Sequence, residues 1–125
     1  MNQAQRLAPA VLRIGLSLVF LWFSLNQFFF VNDFVNLIPE WLVSASGMSP
    51  AVFVIGNAFL EFVLGMFLIL GIHVRFSAFI LSVHLVGIAF SLGYGALMIR
   101  DLGLAIATFS VFLQGADAWC VQKKE

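Results

Sequence analysis

The sequence predicts an all-α integral membrane protein: a four-helix transmembrane bundle with a short interfacial helix between the first and second spans. Three observations lead there. Of the 125 residues, 62% are hydrophobic and only 10% are charged, whereas soluble domains carry roughly a quarter charged residues. Fifteen phenylalanines are hard to hide in one water-soluble core of this size, and the bilayer is the solvent that tolerates them. Four stretches, moreover, each supply the roughly 20 mainly apolar residues needed to cross about 30 Å of hydrocarbon.

The first span is expected at about residues 9–30. Its apolar run, 11–31, is longer than the roughly 7–15 residues of a signal-peptide core. Phe28, Phe29 and Phe30 stand where a small-residue cleavage site would be needed, so the run reads as a retained span. Pro9 is expected near the start of the helix, where a missing N–H costs nothing. Residues 34–43 are too short to cross. There Phe34, Val35, Leu37, Ile38, Trp41 and Leu42 mix with Asn36, Pro39 and Glu40, a pattern that fits a short interfacial helix or re-entrant turn. The second span is expected at about 51–70, with Pro50 at its start and Gly71 as its stop. The third follows at about 76–97, loosened at its end by Gly93, Tyr94 and Gly95, and the fourth at about 102–119. Trp41, Tyr94 and Trp119 fit interfacial belts, while Trp22 and Phe28 to Phe30 read as lipid-facing bulk. The whole chain, 1–125, reads as a single transmembrane domain.

Charge sets an expected orientation. Four spans bring both termini and the middle loop to one side, which collects Arg6, Arg13, Arg75, Lys123 and Lys124; the other side has only Arg100. The positive-inside rule then places both termini in the cytoplasm and the protein in the cytoplasmic membrane. A net charge of zero gives no reason to expect a nucleic-acid partner. The lone Cys120 excludes an internal disulfide and a CxxC dithiol centre.

Each intramembrane polar residue needs a reason, because insertion of a charge at mid-membrane costs about 2.5–3.5 kcal/mol. Helical periodicity groups them. Arg13, Ser17, Ser24 and Gln27 share a stripe on the first span, and Asn57, Glu61 and Gly65 share one on the second. His84, Gly87, Ser91 and Gly95 form a third, and Arg100, Gly103, Ala107 and Gln114 a fourth. All four faces are expected to point inward, since small residues let backbones approach closely. Glu61 and His84 both fall roughly 14–15 Å deep at about 1.5 Å per residue, so they are expected to meet, directly or through one water. Two roles fit such a pair: proton handling or ligand binding, or a hydrogen-bonded lock between the second and third spans. Asp101 suits the start of the fourth helix, where the dipole favours negative charge. Arg100 beside it is expected to face inward, within reach of Asn26, Gln27 or Asp33, as a head-group ligand or an interfacial anchor. Arg13 can snorkel to the surface or pair with Asp117. No His or Cys spacing suits a metal, and His73 and His84 lie too far apart in depth to clamp one haem.

The residues also form a family pattern. Arg13-Ile14-Gly15-Leu16 leads into Phe20-Leu21-Trp22-Phe23, and Ile38-Pro39-Glu40-Trp41-Leu42 follows. Glu61 with Leu64-Gly65, Leu68-Ile69-Leu70-Gly71 with Arg75, and Ile99-Arg100-Asp101-Leu102-Gly103-Leu104 complete it. Together they resemble the DoxX family of small four-span membrane proteins, over nearly the whole chain. The resemblance implies a role beside membrane oxidoreductases: relatives include the small subunit of a thiosulfate:quinone oxidoreductase, and more distant ones act as membrane chaperones or cargo receptors. By position, Arg13, Glu61, Arg100 and Asp101 match the family's recurring polar residues. Ser24 and Gln27 depart from it, standing where many members carry a Gly and a Lys, which removes a charge from that half of the bundle.

Three expectations remain open at the level of sequence. In one, the protein is a quinone-associated subunit, not an enzyme on its own, with a partner supplying the redox centre. In another, it is a membrane partner or a lipid- or small-ligand-binding module whose polar residues only fix the bundle. In a third, it is a small transporter acting as a homo-oligomer.

Overall fold

Residues 2–92 and 95–122 are described by a computed structural model. Gly93 and Tyr94, expected to loosen the third span, lie outside the described residues, as do Lys123 and Lys124. The helices run α1 (Gln3–Phe29), α2 (Glu40–Ser46), α3 (Pro50–Leu70), α4 (Val74–Leu92) and α5 (Ala96–Gln114). Two short 3-10 turns, Val31–Asp33 and Val35–Leu37, lead from α1 towards α2. Among the described residues there is no strand. The four long helices are each apolar and long enough to cross a bilayer. The chain is thus a multi-pass membrane protein with an all-α bundle.

The ends of the helices follow from local chemistry. Asn2 and Gln5 form a reciprocal capping box: Asn2 Oδ1 accepts from the Gln5 N–H at 2.8 Å, and Gln5 Oε1 from the Asn2 N–H at 3.0 Å. That cap starts α1 in its polar lead, upstream of the apolar run. Pro9 therefore lies inside the helix rather than at its start. Pro50 is the first residue of α3, as expected. Gly71 closes α3 with φ of +75°, a conformation that costs a residue with a Cβ. Its own N–H bonds back to Leu68 O at 3.1 Å, and the Ile72 N–H to Phe67 O at 2.9 Å, the pattern of a Schellman stop. The last helix ends at Gln114, five residues short of the expected 119, because Gly115 takes φ of +73° and breaks the ladder. From there the chain folds back across the end of the bundle. Val121 and Gln122 donate their N–H groups to the carbonyls of Leu70 and Gly71, at 3.0 and 3.1 Å.

The helices associate as two tight pairs, α1 with α3 and α4 with α5, and the pairs touch each other more sparsely. Leu16, Phe20, Leu64 and Leu68 fill the first pair; Ala78, Leu81, Leu85, Ala105 and Val111 join the second to it. The outer faces carry Leu18, Trp22, Phe59, Phe90, Ile106 and Leu113, all exposed. Such a surface demands lipid as its solvent.

The expected inward faces hold on the first two spans and fail on the last two. Arg13, Ser17, Ser24 and Gln27 of α1 are buried, and so are Glu61 and Gly65 of α3. On α4 the buried residues are Val74, Ser77, Ala78, Leu81, Ser82, Leu85 and Ala89, while Gly87 is exposed and His84 and Ser91 lie at the edge. On α5 the inward face is Asp101, Ala105, Thr108 and Val111; Gly103 and Gln114 face out, and Arg100 lies at the edge. The reason is close packing of α4 on α5, which draws in the stripes of Ala, Ser and Thr and turns the glycines away.

Candidate functional site

Asn57 and Glu61 stand one turn apart on α3, on a single face as four-residue spacing requires. The Asn57 amide is the hub of the polar residues at mid-membrane. Its Nδ2 donates to Gln27 Oε1 of α1 at 2.7 Å and to Glu61 Oε1 at 2.6 Å. Its Oδ1 is hydrogen-bonded to Nε2 of His84 on α4. With both amide hydrogens committed, Asn57 can only accept from His84, so the imidazole carries its proton on Nε2. Glu61 and His84, expected to meet directly or through a water, are instead bridged by the Asn57 side chain. The sequence placed Asn57 on the right face but could not show that it stands between them.

Arg100 and Asp101 form a second polar station. Nε and Nη2 of Arg100 both reach Asp101 Oδ1, at 3.1 and 3.0 Å. The Arg100 side chain remains 45% exposed, that of Asp101 only 6%. The guanidinium lies over the Phe23 ring, 5.0 Å from its centroid, an attractive cation–π contact. The expected partners of Arg100 (Asn26, Gln27 or Asp33) are replaced by these two.

Between the two stations lies a partly open cavity of about 440 Å³. It occupies the space left where the α1–α3 pair meets the α4–α5 pair. Phe20, Phe23, Leu60, Leu85, Ile88 and Leu104 wall it, and Gln27, Asn57, Glu61, His84, Arg100 and Asp101 border it. The segment after α1 closes one end with Phe34, Leu37, Ile38 and Leu42. Sequence reasoning took that segment as an interfacial element and missed it as a wall, and it missed Phe23 as the shelf for Arg100. The interleaving of apolar residues around Pro39 was the available signal for the first; nothing local marked the second. Among the described residues no group of three His, Cys, Asp or Glu side chains comes together to hold a metal.

Arg13 does not join this site. It is 1% exposed at the opposite end of the bundle, where Nε and Nη2 reach the two carboxylate oxygens of Asp117 at 2.8 and 3.3 Å. Its Nη1 donates to the carbonyls of Leu68 and Ile69 at 2.5 and 3.0 Å. Of the two expected roles, pairing with Asp117 is the one realised. Burial pushes the Asp117 carboxyl up, but the hydrogen bonds from Arg13 and from the Trp119 N–H outweigh it and hold the group below its ordinary value. Burial pushes the neighbouring Cys120 thiol up.

The model of the DoxX family matches residues 8–94, more than two thirds of the chain. The chain belongs to the DoxX family. No curated protein and no solved structure matches it. Within the matched part of this DoxX protein fall Arg13, Gln27, Asn57, Glu61 and His84; the Arg100–Asp101 station lies beyond it. The cavity is thus built jointly, from the family's matched core and from a last helix outside the matched residues.

Proposed function

We propose that this DoxX protein holds a small amphiphilic ring compound of the quinone class in its cavity, as a non-catalytic subunit of a membrane oxidoreductase system. The observation that carries this reading is the cavity of about 440 Å³ with apolar walls and two separate polar stations. Ligand sites for small molecules are typically about 300–1,000 Å³, mostly apolar, with a few placed polar groups. A flat ring fits between the apolar walls, its oxygens fit the stations, and a hydrocarbon tail leaves through the open side into lipid. A partner supplies the redox centre. The excess of basic residues on the side of the termini supports a setting in the cytoplasmic membrane with both termini in the cytoplasm.

The test is purification in mild detergent, followed by solvent extraction and quantification of bound quinone. About one molecule per chain is expected from the wild type, and a large loss from Leu85→Trp, which fills the cavity. A wild-type protein that carries none, and takes up none when quinone is added, would overturn the proposal. One observation favours a purely structural second reading: the Gln27–Asn57–Glu61–His84 network ties α1, α3 and α4 together. Glu61→Gln and His84→Ala separate the two. Folded variants that lose the ligand support binding, whereas variants that fail to fold support the lock.

A further inference from the structure

Gln27 is a polar residue of the cavity whose hydrogen-bonding capacity is only partly used. It lies on α1, is 6% exposed, and lines the cavity on the same helix face as Phe23, four residues earlier. Its Oε1 accepts from Asn57 Nδ2 at 2.7 Å. That contact fixes how the amide is turned: a donor does not face a donor, so Nε2 lies on the side away from Asn57. Nε2 carries two hydrogens. The nearby carboxyl of Glu61 can take one of them, and because the two N–H bonds diverge, a single carboxyl leaves the other free. This holds whether Glu61 is ionised or protonated. Among the described residues the second hydrogen has no acceptor, yet Nε2 is not a sealed atom, since Ser77 Oγ is the only fully buried side-chain N or O among them without a partner. An unpaired donor that is not sealed, in a side chain this deeply buried, opens on the cavity that the side chain lines.

We propose that Gln27 is a specificity-determining residue of the cavity, its Nε2–H donating to a ring carbonyl oxygen of the bound quinone. The inference rests on the binding role proposed above and deepens it by naming the donor at the Asn57–Glu61 station. At the other station Nη1 of Arg100 takes no part in the contacts to Asp101, so each end of the cavity offers one donor to one ligand oxygen. The Asn57 contact holds the Gln27 amide in place before the ligand arrives, so little side-chain freedom is lost on binding. An apolar ring of the same outline leaves the buried amide hydrogen without an acceptor, whereas a carbonyl oxygen meets it. Discrimination of this kind comes from a polar group that only an oxygen-bearing ligand satisfies. A quinol oxygen also accepts, so Gln27 selects for an oxygen at this place on the ring and not for a redox state.

The experiment uses the full chain in lipid nanodiscs, with decylubiquinone carrying a carbon-13 label at one or the other ring carbonyl as the probe. Nanodiscs without protein correct for partitioning. Isotope-edited infrared difference spectra read each C=O stretch, which a hydrogen bond lowers. In the wild type the carbonyl at the Gln27 station is expected below its frequency in lipid alone. Gln27→Met, close in size but without a donor, is expected to return that band to the lipid value and leave the other carbonyl where it was. It is also expected to raise the Kd roughly fivefold to tenfold. Gln27→Met strips Asn57 of an acceptor as well, and if it fails to fold the wild type decides alone. Of Gln3, Gln5, Gln27, Gln114 and Gln122, Gln27 is the one that lines the cavity. Solid-state NMR with nitrogen-15 at glutamine Nε2 and carbon-13 at the ligand carbonyl is therefore expected to show dipolar coupling between the two. Wild-type bands at the lipid values, weaker binding in Gln27→Met with both bands unmoved, or no such coupling would overturn the role of Gln27 and leave the proposed function standing. A wild type that binds no quinone would remove both.

Discussion

Deleting the carboxylate of Asp117 tests the clamp at the closed end of the bundle. Four hydrogen bonds converge on the Arg13 guanidinium, two from the forked contact with Asp117 and two from the carbonyls that end α3. Both side chains are nearly inaccessible, at 1% and 4%. Removing one member of a buried pair costs about 3–5 kcal/mol, because the other is left as an uncompensated buried charge. Asp117→Ala is expected near the lower bound, about 3 kcal/mol, since the two carbonyls stay in place; that is roughly a hundredfold in the folding equilibrium. Replacing both partners, as in Arg13→Met with Asp117→Ala, removes the stranded charge. The double variant is therefore expected to be more stable than Asp117→Ala alone. Reversible unfolding by SDS in mixed micelles, followed by helical circular dichroism, measures the difference. A loss below about 1 kcal/mol for the single variant, or costs that add, would refute the assignment of Arg13 and Asp117 as a coupled pair.

The same pair sets a pH dependence whose sign is fixed. Asp117 titrates below its ordinary 3.8 in the folded protein, so the unfolded chain takes up the proton first on acidification. Its stabilisation is fully present above the unfolded value and is lost as the pH falls through the folded one. The part of the SDS midpoint that Asp117→Ala removes should hold level from neutrality to about pH 5 and then shrink, as read from the difference between wild type and variant.

Two further predictions concern glycine packing and the C-terminal segment. Gly71→Ala forces a left-handed φ on a residue with a Cβ and sets that Cβ 2.5 Å from the Cα of Cys120; a loss of more than about 2 kcal/mol is expected in the same assay. Gly56→Ala, where nothing lies within 4 Å, is instead expected to stabilise by up to about 1 kcal/mol through helix propensity, and equal effects at the two sites would contradict the packing described. Cys120 is 3% exposed, its thiol pushed up by burial and its sulfur in contact with the Asp117 N–H at 3.3 Å. A maleimide should therefore label it slowly at neutral pH, and Asp117→Ala should speed labelling by releasing the segment, as followed by mass spectrometry.

Much of the bundle was legible because the signals are local. Four long apolar runs, Pro50 and Gly71 each act through the few residues around them, and so do the polar stripes of α1 and α3, where a lone Arg13 or Glu61 has one tolerable direction. The faces of α4 and α5 were not legible. Arg100 and Asp101 are adjacent, about 100° apart around the helix, and no local rule says which of the two turns inward. The packing of Ala105 and Thr108 against α4 decides it for Asp101 and leaves Arg100 half-exposed. The end of α5 was misplaced because Ala116, Ala118 and Trp119 read as a continuing span despite Asp117, whereas Gly115 takes a positive φ with Arg75 so close that its Nε would lie 2.6 Å from any Cβ there. The cavity could not be read from any residue, since it is space left between two helix pairs.

The two arginines buried or half-buried in this bundle show why position, rather than residue type, assigns a role here. Arg13 gives its guanidinium to Asp117 and to two backbone carbonyls, which leaves almost no donor for anything from outside. A group so completely satisfied can only close the structure, and the C-terminal segment it holds also pairs with Leu70 and Gly71. Arg100 places two donors on one oxygen, rests its face on Phe23 and keeps the rest of its fork at the edge of the cavity. In the proposed binding role, a planar cation fixed in this way is preorganised to meet a ligand oxygen. One end of the bundle is thereby locked by charge, and at the other charge is held in reserve. That asymmetry gives Glu61, bonded to Asn57 between the two ends, its setting in the proposed binding role: the ion pair that closes the bundle lies elsewhere.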